Sequence, residues 1–112
     1  MIHTETLLAS AARGAGSTLD IPGRGVLRAV RAQLDVTAVS GTSPTLDLLL
    51  EETFDGASWD TVLSWTQATA ATREIKTGSG LLVPRVRLRW TIGGTASPTV
   101  TFSVRWLADW TQ

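Results

Sequence analysis

The feature that most constrains this chain is a period of two in its apolar residues. Between Val30 and Ala38, the residues Val30, Ala32, Leu34, Val36 and Ala38 alternate with Arg31, Gln33, Asp35 and Thr37. Successive side chains of a strand point to opposite faces, so this stretch offers one face to a core and one to water. Leu46, Leu48, Leu50 and Phe54 extend the pattern against Thr45, Asp47, Glu51 and Thr53, with Glu52 breaking it near the strand end. Val86, Leu88, Trp90 and Ile92 alternate with Arg85, Arg87, Arg89 and Thr91. Val100, Phe102, Val104, Trp106, Ala108 and Trp110 alternate with Thr99, Thr101, Ser103, Arg105 and Asp109. A helical period fits none of these stretches.

Turn residues punctuate the alternation. Ser40-Gly41-Thr42-Ser43-Pro44 is read as closing one hairpin and Gly93-Gly94-Thr95-Ala96-Ser97-Pro98 as closing another, while Asp55-Gly56 forms a tight turn. Pro22-Gly23-Arg24-Gly25 and Gly78-Ser79-Gly80 mark further breaks. The pattern predicts about eight strands, at 4–9, 17–21, 26–38, 45–54, 58–67, 73–77, 83–92 and 99–108. The fold class expected is all-β: a single sandwich of antiparallel strands, jelly-roll-like or immunoglobulin-like. The two Gly-Thr, Ser-Pro-Thr turns echo each other, as they would if each sheet held one long hairpin.

A chain of 112 residues is the size of one domain. Residues 1–112 are therefore read as one sandwich, with residues 1–10 as an extended N-terminal docking arm. The chain has no cysteine, which excludes a disulfide scaffold, a zinc ribbon and a thiol nucleophile. Ten basic and ten acidic residues cancel, so net charge supplies no pull toward nucleic acid or an anionic membrane. The first residues carry no basic n-region, and a secretory signal is not expected.

Catalytic chemistry finds little to use. The one histidine, His3, is expected to be solvated. No serine sits in a nucleophile elbow, and Glu51 and Glu52 should point to opposite faces. Asp35 and Asp47 could share an exposed face across the first hairpin, where carboxylates usually serve solubility. Neither an enzymatic activity nor a cofactor or metal is expected.

Binding is better represented. Of the five tryptophans, Trp59, Trp65, Trp90 and Trp106 fall on apolar sides and are assigned to the core. Trp110, near the C-terminal end, is read as an anchor on a neighbouring subunit. Arg85, Arg87 and Arg89 form a ladder, with Arg105 expected across from it on a partner strand. Like charges side by side cost free energy unless answered. Carboxylates of a neighbouring subunit or of the same chain would both serve, and the sequence leaves the two open. The arm contributes Ile2, Thr4 and Thr6 to the candidate contacts.

Three segments together resemble small virion proteins of tailed bacteriophages: Leu34 through Asp47, then Asp55-Gly56 with Trp59, then Val86 through Gly94. The resemblance spans about residue 5 to residue 106 and rests on strand-and-turn patterns, so no site residue is carried over. It implies a sandwich that docks on a capsid or tail, often as a trimer. The function expected is that of a decoration (cement) protein, made in the host cytoplasm and seated on the head surface of the virion. Its partners would be the major capsid protein and copies of itself, with no nucleic acid or membrane involved. A tail or fibre component and a carbohydrate-binding module are the alternatives.

Overall fold

A computed structural model describes residues 1–111. It contains six strands: β1 (Ile2–Arg13), β2 (Ser17–Ile21), β3 (Val26–Glu52), β4 (Asp60–Ser64), β5 (Thr72–Gly78) and β6 (Val86–Thr111). Two are unusually long, with 27 residues in β3 and 26 in β6. They run antiparallel beside each other, from Val26 opposite Thr111 to Glu52 opposite Val86.

This pairing revises the hairpins expected at 40–44 and 93–98. Neither segment turns its strand back on itself. They lie against each other, with Ser40 opposite Thr99, Thr42 opposite Thr95 and Thr45 opposite Gly93. Both strands bend together here, with slips in register on either side of Thr42. The bend needs left-handed backbone, found at Gly41 (φ 94°), Ser43 (49°), Gly94 (122°), Ala96 (58°) and Ser97 (53°). The sequence echo is therefore the two strands of one crossing, each carrying small residues where the other passes close.

Past the crossing each long strand joins a second sheet. Residues 26–40 of β3 lie between β5 and residues 99–111 of β6, which in turn carry β1, so one sheet runs β1-β6-β3-β5. Residues 45–52 of β3 lie between β4 and residues 86–93 of β6, which carry β2, so the other runs β2-β6-β3-β4. Each expected pair of strands, 26–38 with 45–54 and 83–92 with 99–108, is thus one bent strand. Pairing the first strand with the last and wrapping both long strands through two sheets is the jelly-roll connectivity, which settles the choice against the immunoglobulin-like one.

The apolar sides of both sheets meet in one core. Leu27, Leu34, Leu46, Leu50, Leu88 and Phe102 are all within 1% of complete burial, each contributing about 1.5–3 kcal/mol. Trp90 from one sheet meets Phe102 from the other edge to face, at 6.2 Å between ring centroids. Arg13, at the end of β1, closes the side of this contact. Its guanidinium lies 4.6 Å from the Phe102 ring centroid and 5.9 Å from that of Trp90. It donates to the carbonyls of Phe102 (2.7 Å) and Ala9 (2.8 Å). A bulge between Val36 and Ala38 explains why Ala38 is exposed and Val39 turns inward instead.

Three apolar residues stand elsewhere than expected. Trp110 is 1% exposed and packs edge to face on Trp106, so it is a core residue of its own domain and not an anchor. Its strand is central, flanked by Met1 on one side and Leu27 on the other. Trp59, expected in the core, lies outside it just before β4. Phe54, expected inside, is 74% exposed, because the alternation ends at Thr53 where the chain leaves the sheet to turn.

The crossing makes a testable demand. A Cβ on Gly41 would stand 2.7 Å from Pro98 Cα, and one on Gly94 would stand 2.9 Å from the carbonyl oxygens of Thr42 and Ser43. Gly41→Ala and Gly94→Ala should each destabilise by about 1–3 kcal/mol in urea unfolding. Gly23→Ala, with no atom within 4 Å of the added methyl, should be neutral or slightly stabilising.

Candidate interaction surfaces

The two sheets present two outer faces, and their charges are arranged differently. On the β2-β6-β3-β4 face, cross-strand neighbours place Asp20, Arg87, Glu51 and Thr61 in one row. Arg87 Nε donates to Glu51 Oε1 at 2.9 Å, and Arg89 Nη1 lies 3.8 Å from Glu51 Oε2. The Glu51 side chain is only 6% exposed. The Arg87 guanidinium also lies 3.9 Å from the centroid of the Trp59 ring, with Arg85 at 6.0 Å. The ladder is thus answered within the chain, by Glu51 and by the ring that sequence reasoning had placed in the core. A row of alternating arginines carries no signal for this, because the register that brings Glu51 opposite Arg87 is set by the distant crossing.

The loop between β3 and β4 is held by side-chain hydrogen bonds. Asp55 Oδ1 accepts from the backbone N–H of Ala57 and of Ser58, both at 2.8 Å. Thr53 Oγ1 accepts from Gly56 N at 2.9 Å. These amide hydrogen bonds hold the Asp55 carboxyl below its usual pKa. Phe54 is presented to solvent from this fixed turn.

Arg105 does not lie across from the ladder. It sits on the other face, where Thr6, Arg105, Gln33 and Ile75 form one row and Thr4, Leu107, Arg31 and Thr77 the next. These residues surround a shallow depression of about 220 Å³ lined by Thr4, Arg31, Gln33, Ile75, Arg105, Trp106 and Leu107. Ile75 and Leu107 are each 43% exposed. Arg73 pairs with Asp35 at 3.4 Å at one end of the face. Among the described residues, neither Arg31 nor Arg105 has an ion-pair partner. Asp35 and Asp47 fall on different sheets, so they do not share a face as the hairpin reading would have them do.

Ile2, Thr4 and Thr6, expected on a docking arm, belong to β1. In the structure this segment is the edge strand of its own sheet, paired with β6 from Ile2 opposite Asp109 onward. All three side chains are exposed, and among the described residues the outer backbone edge of β1 faces no other strand. Among the described residues, no three His, Asp or Glu side chains converge as metal ligands would.

No family model matches this chain, and no curated protein matches it. Solved structures do. A chain from the structure of the infectious bursal disease virus Gx strain is similar over 96% of this chain and 31% of its own length, with a TM-score of 0.50 and 16% identity. The STIV major capsid protein is similar over all of this chain and 49% of its own length, with a TM-score of 0.46 and 16% identity. The chain thus spans about a third and about a half of these neighbours. At this identity the likeness to the first establishes a shared fold. The class defined is an antiparallel jelly-roll β-sandwich with one outer face on which the Arg87 and Arg89 charges are answered by Glu51 and another on which, among the described residues, Arg31 and Arg105 have no ion-pair partner.

Two outcomes are expected. Glu51→Ala leaves Arg87 without its carboxylate and should cost about 2–3 kcal/mol in urea unfolding, whereas Arg89→Ala, 53% exposed, should cost under about 0.5 kcal/mol. Because the folded pKa of Asp55 is lowered, its hydrogen bonds hold the turn above the ordinary carboxylate range and are lost as pH falls through the folded value. In an NMR titration, the Asp55 carboxyl should titrate below ordinary aspartates, with the Ala57 and Ser58 amide shifts following it.

Proposed function

We propose that this chain is a structural component of a virus particle, and in particular a decoration protein that binds the outside of an assembled tailed-phage head. The observation that carries the reading is the jelly-roll connectivity, shared over 96% of the chain with a chain from a virus structure. The resemblance of its strand-and-turn segments to phage virion proteins supports it independently. The proposed partner is the major capsid protein. A protein that binds only the assembled shell stabilises that shell by mass action, and many weak copies add through multivalency.

The β1-β6-β3-β5 face suits such contact, since it combines exposed Ile75 and Leu107 with unanswered Arg31 and Arg105. The free edge of β1 offers a second route, strand addition to a neighbour. No catalytic step is assigned to any residue. Against the carbohydrate-binding alternative, the half-buried Trp59 ring already carries Arg87 over one face. A tail or fibre role uses the same fold and differs in copy number.

Quantitative mass spectrometry of purified particles separates these readings. A decoration protein should be present at parity with the major capsid protein or at a simple fraction of it. A handful of copies would assign the chain to the tail or a unique vertex, and absence from the particle would overturn the virion reading.

A further inference from the structure

The uncompensated cations on one sheet have a counterpart at the rim of the other. Glu52 of β3 lies directly opposite Asp60 of β4. Two carboxylates in that position repel each other, and among the described residues neither has an ion-pair partner. Between them in the chain stands Phe54, 74% exposed on the turn that Thr53 and Asp55 hold rigid. A large aromatic presented from a fixed backbone loses little conformational freedom on docking, as an interface anchor should. Two cations border this loop: Arg87 lies 3.9 Å and Arg85 6.0 Å from the Trp59 ring centroid, and Arg85 Nη1 lies 3.0 Å from where a Cβ on Gly56 would stand, on the Gly56 side of the turn.

We infer that this acidic, Phe54-tipped rim of one copy docks on the depression between Ile75 and Leu107 of the next copy, with Arg31 and Arg105 receiving Glu52 and Asp60. The argument is complementarity: an exposed aromatic on the loop that joins two unanswered carboxylates, Glu52 and Asp60, and an apolar hollow flanked by two unanswered guanidiniums. They lie on different sheets of the sandwich, so the contact joins copies head to tail. Such a heterologous contact closes into a ring or grows as a filament. A two-fold pairing of the Arg31 and Arg105 faces would set cations against cations and is disfavoured. The inference concerns how copies meet and does not depend on the decoration reading.

Sedimentation velocity on the purified chain tests it, from about 10 μM to about 1 mM, the range in which contacts smaller than a standard interface associate. The wild type should associate, less so as salt is raised. Phe54→Ser should weaken association at least about tenfold. So should the Arg31→Glu, Arg105→Glu pair and the Glu52→Lys, Asp60→Lys pair, each with the wild-type melting temperature. Mixing the two charge-reversed proteins should restore association, because every contact between unlike copies regains opposite charges. A wild type that stays monomeric throughout would overturn the inference, as would charge reversals that leave association unchanged or a mixture that fails to associate. Phe54→Ser alters one exposed side chain and keeps the test valid if a double variant misfolds.

Discussion

The structure depends on the pairing of β3 with β6. Those two strands form the centre of both sheets, and every other strand attaches to one or the other. Because they stay paired through the bend at residues 40–45 and 93–99, one hydrogen-bond ladder supplies both halves of the sandwich. The bend is made by small residues for a steric reason. Two backbones pass within contact distance there, and Gly41 and Gly94 adopt conformations that side chains disfavour. Ser43, Ala96 and Ser97 accept the same left-handed backbone at a cost that the surrounding pairing has to meet.

That wiring also distributes charge. Register along β6 sets Arg87 between Asp20 and Glu51, and the face becomes self-neutralising. Further along the same strand, register sets Arg105 beside Thr6 and Gln33, with no carboxylate on either side. Identical residue types on one strand thus serve different ends. Arg87 is paired inside the domain, while Arg105 has no ion-pair partner among the described residues. An arginine whose carboxylate is supplied in the same chain stabilises the fold. One whose carboxylate is missing marks a face with unmet electrostatics, and here it lies beside exposed isoleucine and leucine.

The five tryptophans show where sequence reasoning held and where it stopped. Trp65, Trp90 and Trp106 lie in the core that their strand positions assign them. Trp59 and Trp110 exchanged places with expectation. The residue near the C-terminal end is buried because its strand is central in the sheet, a fact of topology. The residue beside the Asp55-Gly56 turn is outside because the chain has already left the sheet, and a cation supplies its partner. Arg13 gave no sequence signal, since its acceptors are backbone carbonyls and its rings belong to β6.

Period-two alternation alone determined that the chain is all-β, where most strands lie and which of their faces is buried. Those are local properties, because the direction of a side chain follows from its parity along the strand. Only the tertiary structure decided that 40–44 and 93–98 cross each other, that the sheets are wired as a jelly roll, and which arginines are answered. Each of these depends on which distant residue stands opposite. A one-residue change in register would leave every local pattern intact while giving every cation a different neighbour.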